Sequence, residues 1–421
     1  MAPSLRFVLL LLLFPLFCLA QNRQPRIEWI TDKQGISGPV INTMIKDSSG
    51  AIWLGTVDGL FRWNGKEMDQ FHHDVNNANT LPHNTINHLI EKDKNTLLLA
   101  TSGGFSMYNK KENKWRNFLG GSGTEKRSGL KIFNDFVLVN DSIVILSYMY
   151  YGLYRLNLHT WQATYIDRSA FPGNLRYVQK LTRLRDGRIT GAGMGLVFVI
   201  NDQLKVLSVY QTVKAEGSTL PFENQYLNIN EDPSNDNSIW VGTWGGGLKQ
   251  LDLQTGKWSS YYFEDRSLAP NLHNIAADQF WLNDSTILIG NEISYREFHV
   301  NTGSFTESAW NDLKSPDGSI IKYVYKSKNG EQWVFSEHEV GRVTQKNPEF
   351  TIYPWKNKNN NLTVIQGSSA ERFEAFTWYD QRSYYLLISA VNSFWRIVVF
   401  HSLISSSQKF SLRRPITNGI C

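Results

Sequence analysis

The 421-residue chain is poor in cysteine, with Cys18 and Cys421 alone. Cys18 lies in an apolar N-terminal run read below as removable, which leaves one cysteine and excludes an intramolecular disulfide. A chain of this size can bury a core large enough to need no covalent staple, and the pairing of export with missing disulfides points to a bacterial envelope. Helix-period apolar patterning with caps is missing, which excludes a helical bundle or a doubly wound fold. No later segment offers the roughly 20 uninterrupted apolar residues of a membrane helix. The best run, from Tyr384 to Ile404, is broken by Asn392, Arg396 and His401. The net charge of +5 comes from scattered lysines and arginines rather than a basic stripe, which argues against nucleic acid. Also missing are a His-Glu-x-x-His zinc pattern, a Gly-x-Ser-x-Gly elbow and a phosphate-cradling glycine loop. Neighbouring His72, His73 and Asp74 point apart in extended chain and read as loop rather than metal ligands. No catalytic residue, metal or cofactor is expected.

The N-terminus reads as a secretory signal over residues 1–20. Arg6 supplies the positive end, Phe7 to Leu19 the apolar core, and Cys18-Leu19-Ala20 small residues before a cut after Ala20. Phe17 directly before Cys18 argues against lipid attachment there. Export places the remainder in the periplasm.

What the chain does have is repetition. Asp47-Ser48-Ser49-Gly50-Ala51-Ile52-Trp53-Leu54-Gly55-Thr56-Val57-Asp58-Gly59-Leu60-Phe61-Arg62-Trp63 returns as Asn237-Ser238-Ile239-Trp240-Val241-Gly242-Thr243-Trp244-Gly245-Gly246-Gly247-Leu248. Each copy is a polar turn, a β-branched and aromatic run, Gly-Thr, a glycine turn and a second run, which is a β-hairpin. Weaker copies place the same turn at 59, 104, 152, 195, 247, 294, 341 and 393, a mean spacing of about 48 residues, the period of propeller blades. A second hairpin follows, for example at Asn113-Lys114-Trp115 and Thr255-Gly256-Lys257-Trp258, giving four strands per repeat. Asn140-Asp141-Ser142 and Asn283-Asp284-Ser285 are formal sequons that read better as hairpin turns. Four-stranded repeats bury both faces by packing radially, and closure of the ring protects their edges. Trp53, Trp240, Trp333 and Trp395 then pack between blades. The expected fold is an all-β propeller over residues 21–400 with an irregular tail, 401–421, that reads as a truncated or frameshifted end. Eight in-phase units are counted, and because the last lacks its outer strand the expected ring is seven blades plus the start of another repeat, with eight blades as the alternative.

The Asp47 to Trp63 pattern, Asn79-Thr80-Leu81-Pro82-His83-Asn84 with its echo at Ser218-Thr219-Leu220-Pro221, and the opening Ile30-Thr31-Asp32-Lys33-Gln34-Gly35-Ile36-Ser37 resemble the two-component regulator propeller repeat family. The resemblance covers roughly residues 26 to 399. It implies the periplasmic sensor region of a Bacteroidetes-type sensor kinase or hybrid two-component protein, anchored in the inner membrane and dimeric when whole. In that family a β-sandwich, a membrane helix and kinase or DNA-binding modules follow, and this chain carries none of them, so it is expected to bind rather than catalyse.

In propellers the loops joining second and third strands open around the channel. Here they present Tyr148, Tyr150, Tyr151, Trp244, His338 and Glu339. Rigid aromatics ringed by polar groups suit a small ligand such as an oligosaccharide. The alternatives are a propeller-fold carbohydrate-active hydrolase or lyase, betrayed by two acidic groups converging in the channel, and a scaffold that binds protein along its rim.

Overall fold

The computed structural model describes residues 26–30, 40–120, 131–172, 175, 177–211, 225–263, 274–290, 294–313 and most of 315–344, with backbone strands between 356 and 400. The signal segment 1–20 and the tail 401–421 lie outside the described residues.

Two units divide the chain at Val343–Thr344. The first holds seven four-stranded antiparallel sheets. Strands are numbered along the chain. Blade 1 runs β2 (Ile41–Lys46), β3 (Ile52–Thr56), β4 (Gly59–Trp63) and β5 (Met68–Phe71). Blades 2 to 6 follow in the same order, each opening on an innermost strand: β6 (Ile86–Asp93), β10 (Phe133–Asn140), β14 (Val178–Arg183), β18 (Tyr226–Asp232) and β22 (Asp278–Asn283). The seventh has only three strands of its own, β26 (Tyr323–Lys326), β27 (Gln332–Phe335) and β28 (Val340–Thr344). Its outermost place is taken by β1 (Arg26–Ile30) from the start of the chain. The ring is therefore seven-bladed and sealed by pairing its two ends, which covers the edge of β28. Among the described residues helix is confined to short 3-10 turns such as Arg168–Ala170.

The eighth unit of the sequence repeat stands apart from that count. It forms a separate four-stranded sheet in the second unit, ordered β31 (Thr363–Val364), β32 (Glu374–Asp380), β33 (Ser383–Ala390) and β34 (Phe394–Phe400). Its fourth strand precedes the three that match the repeat rather than following them.

The repeat's grammar has a physical basis in the first unit. Second strands such as Ile52–Thr56 and Thr286–Gly290 are buried end to end, because each blade face packs on a neighbour. Trp53, Trp240 and Trp333 are 1%, 0% and 4% exposed, which places all three between blades. The indole of Trp53 donates to Asp47 Oδ2 at 2.8 Å, and that of Trp240 to Asp232 Oδ2 at 2.9 Å. The other oxygen of each carboxylate caps its own turn, from Ser49 N in one copy and Ser234 N in the other, both at 2.9 Å. The Asp-to-Trp spacing thus lashes a hairpin turn to the blade core. The threonine of Gly-Thr closes the next turn: Thr56, Thr101 and Thr243 Oγ1 donate across it to Gly59, Gly104 and Gly247 O at 2.7–2.9 Å. Both sequons are turns, with Asn140 Oδ1 and Asn283 Oδ1 each accepting from the backbone two residues on.

Candidate ligand site on the channel face

The innermost strands enclose an axial channel of about 690 Å³. Its lining follows from register. In blades 1, 2, 4, 5, 6 and 7 one innermost residue lies opposite a fixed place in the second strand: Thr43 opposite Gly55, His88 opposite Ala100, Lys180 opposite Ala192, Asn228 opposite Gly242, Asp278 opposite Gly290, and Tyr323 opposite Phe335. Blade 3 supplies Asp135, whose N–H donates to Ser147 Oγ at 2.9 Å. Each blade thus gives the channel one polar side chain at an equivalent position. The partner is small in six of seven, and at two of the glycines there is no room beside the next blade: a Cβ on Gly55 would sit 2.7 Å from Ile86 Cγ2, and one on Gly242 2.1 Å from Ala276 O.

A register shift just before this ring position recurs in the first five blades. Such bulges re-aim side chains next to binding sites. Here they turn Asn42, Asn87, Asn134 and Gln179 into the channel. Three of the amides tie neighbouring blades, Asn42 Nδ2 donating to Ile86 O at 3.0 Å, Asn87 to Phe133 O at 2.9 Å and Asn134 to Gln179 O at 2.6 Å.

Charge in the ring is concentrated. Asp135, 2% exposed, accepts from Leu181 N at 2.9 Å, pairs with Lys180 Nζ at 3.3 Å and contacts His88 Nδ1 directly, so one carboxylate joins blades 2, 3 and 4. Burial opposes its ionisation, but Lys180, His88 and the Leu181 N–H outweigh that and hold it well below the usual carboxylate range. Asp278 goes the other way. Desolvation dominates, and despite N–H groups of Gln279 and Val324 and the charge of Lys180 it is pushed up to about 6. The ring does bring two acids near one lysine, but one of them is fully engaged in structure.

The second-to-third strand loops lie at the same end as this ring. Four of them are pinned to the chain entering an innermost strand, by Val57 N to Val40 O, Ser102 N to Thr85 O, Met149 N to Ile132 O and Trp244 N to Gln225 O, all at 2.9–3.0 Å. The residues expected to bind ligand occupy varied places there. Tyr148 is buried in a blade 3 cluster, its ring stacked 5.1 Å from Phe133. Tyr151 is half-buried against it, at 4.6 Å. Glu339 is buried and its backbone N–H donates to Ser336 Oγ. Tyr150 is 45% exposed beside Tyr177, His338 is exposed, and Trp244 is half-buried. None of the six is among the channel-lining residues; Tyr150, Trp244 and His338 are the three with surface to offer at the rim. Sequence reasoning missed the ring itself, although part of its signal was present as the small residue before a threonine in Gly55-Thr56, Ala100-Thr101 and Gly242-Thr243. His72 and His73 part as expected, the first beside Asp58 and the second on Leu81 O.

Among the described residues no helix is long and apolar enough to cross a membrane. No protein-family model matches the sequence, and no curated protein is significantly similar to it. Solved structures are similar in fold. The extracellular domain of a hybrid two-component system from B. thetaiotaomicron superposes with a TM-score of 0.58 at 17% identity, over 89% of this chain and 48% of that one. The extracellular domain of a one-component system from the same organism gives 0.57 at 17%, over the same shares. A streptogramin B lyase gives 0.55 at 12%, over 77% of this chain and 99% of that one. The chain therefore spans about half the length of the two Bacteroides domains. It has the propeller fold seen in the extracellular domains of Bacteroides two-component systems.

Proposed function

We propose that this chain is the ligand-binding propeller of an extracytoplasmic sensor in a two-component system, with its site on the channel face. The observation that carries the reading is the ring of seven equivalent side chains, one per blade, around a cavity of about 690 Å³. A ligand there touches several blades together, so its binding energy can bias how they pack or how two propellers pair, which is all that signalling requires. The likeness to extracellular domains of two-component systems supports it. The ligand we assign is an oligosaccharide: Tyr150 and Trp244 offer ring surface at the rim, and the amides and hydroxyl below offer orientation. Titration calorimetry against a glycan panel tests this. A glycan that binds the native chain should bind the Tyr150→Ala/Trp244→Ala variant at least about tenfold more weakly, the weight of two stacking contacts. Unchanged affinity in the folded double variant removes the rim from the site. A propeller enzyme is the second reading, favoured by Asp135 and Asp278 both lying near Lys180 and by the lyase among the fold's neighbours. Turnover of the bound glycan into smaller products would decide for it.

A further inference from the structure

The two carboxylates of the channel ring are built alike and finished differently. Asp135 accepts from the Leu181 N–H one blade on, and Asp278 accepts from the Val324 N–H one blade on. Asp135 is then paired with Lys180 and contacted by His88. Asp278 has no such partner: among the described residues no lysine, arginine or histidine nitrogen lies within 4.0 Å of it. Asn228 Nδ2 reaches it only at 3.4 Å, and Lys180, whose charge it feels, is bound to Asp135. A second, independent oddity lies beside it. Tyr295 is 3% exposed, its hydroxyl has no hydrogen-bond partner among the described residues, and it is near enough to Asp278 and Tyr323 for their charges to act on it. A buried hydroxyl left unsatisfied is costly, which marks a place where a partner is missing. The third element is Tyr323, 38% exposed on the channel wall and stacked on Phe335 at 4.9 Å.

We propose that this wall of the channel, lined by Asp278, Asn228 and Tyr323 with Tyr295 buried beside them, binds an ammonium group carried by a small ligand or by one sugar unit of a larger one. An ammonium brings three donors and one positive charge. The Asp278 carboxylate takes the charge, the Tyr295 hydroxyl oxygen accepts a second hydrogen bond, and the face of Tyr323 favours a cation. A metal ion fits less well: Asn228 Oδ1 is taken by Ile229 N at 2.8 Å, and the described residues hold no group of three metal-ligating side chains. The proposal rests on the sensor reading only in taking the channel to face a ligand.

Calorimetry on the full chain tests it, with ethanolamine and glucosamine as probes, ethylene glycol and N-acetylglucosamine as their uncharged counterparts, and calcium chloride as a separate arm. Both amines should bind saturably and their counterparts should not. Asp278→Asn keeps an acceptor for the two backbone N–H groups and should weaken the amines at least about tenfold, the weight of one ion pair shielded from bulk water. Tyr295→Phe removes only the unpartnered hydroxyl and should weaken them about threefold, and it decides the matter should Asp278→Asn fail to fold. Amine affinities unchanged in the folded variants, binding of calcium in place of the amines, or no amine binding at all would each overturn the proposal. N-acetylglucosamine binding as tightly as glucosamine would overturn it too while leaving a glycan sensor standing.

Discussion

At the scale of single residues, Asp47 concentrates more bonds than any position its sequence motif advertised. Its carboxylate accepts from Ser49, Ala51 and the Trp53 indole and pairs with Lys110 Nζ at 2.9 Å, while Lys110 also holds Glu91 on the next blade. Burial alone would raise its pKa, but the bonds from Ser49, Trp53 and Lys110 bring it down to about 2. A depressed carboxylate contributes stability that is full above its unfolded value of about 4 and is lost as pH falls through the folded one. Urea denaturation of the native chain should therefore show a stability loss between pH 4 and 2 that Asp47→Asn largely lacks. The variant should also cost about 2–4 kcal/mol at pH 7, since it leaves the Lys110 charge partly unpaired in a buried setting. Asp278 carries the opposite sign. A raised pKa means the group favours folding below its unfolded value, and that advantage is lost as pH rises through the folded value of about 6. Asp278→Asn should flatten the stability profile between pH 4 and 6 and leave the protein more stable than the native chain at pH 8. An Asp278→Asn profile identical to the native one would mean that the carboxyl is freely hydrated in the channel.

At the scale of elements, the closing strand is the joint to test. β1 adds the fourth strand to blade 7, with Arg342 Nη2 paired to Glu28 Oε2 at 2.7 Å across it. A Cβ on Gly341 would sit 2.2 Å from Ile27 Cγ2, so Gly341→Val should prise β1 away without touching any other blade. Limited proteolysis should then cut near residue 30 well before the rest of the propeller. Cleavage no faster than in the native chain would show that the junction holds by other means. The hairpins that make the other blades were legible because turn chemistry and β-branched runs repeat in phase: the third strands begin at Gly59, Gly104, Gly152 and Leu248, where the glycine turns placed them. β1 was legible only in part, because a strand that completes a blade 314 residues away carries no local sign of its partner. The eighth repeat, expected as the start of another repeat, does form a sheet outside the seven, although periodicity reports hairpins and cannot by itself say which sheet they join.

At the scale of the whole molecule, the channel face is where sequence reasoning had least to work with. Tyr148 and Tyr151 were read as ligand surface because they sit in a loop; the fold turns Tyr148 into the core of blade 3, packed on Phe133 and Tyr154. The ring of Thr43, His88, Asp135, Lys180, Asn228, Asp278 and Tyr323 could not be read directly, since seven dissimilar residues become equivalent only once register aligns them. That arrangement has a mechanical consequence. Blades 2, 3 and 4 share Asp135, blade 5 reaches blade 6 through Asn228, and blade 6 reaches blade 7 through Asp278. A ligand held at the axis is therefore bound by several blades at once and opposes their separation. At a concentration 100 times its Kd it should stabilise the folded propeller by about 2.7 kcal/mol, through mass action on the native state. Hydrogen exchange should show where that energy goes: amides near 43, 88, 135, 180, 228, 278 and 323 should all slow together on addition of a binding glycan or amine. Slowing confined to one blade would place the ligand in a single loop pocket. The propeller would then have no means of passing occupancy around its axis, and the sensor reading would lose its mechanism.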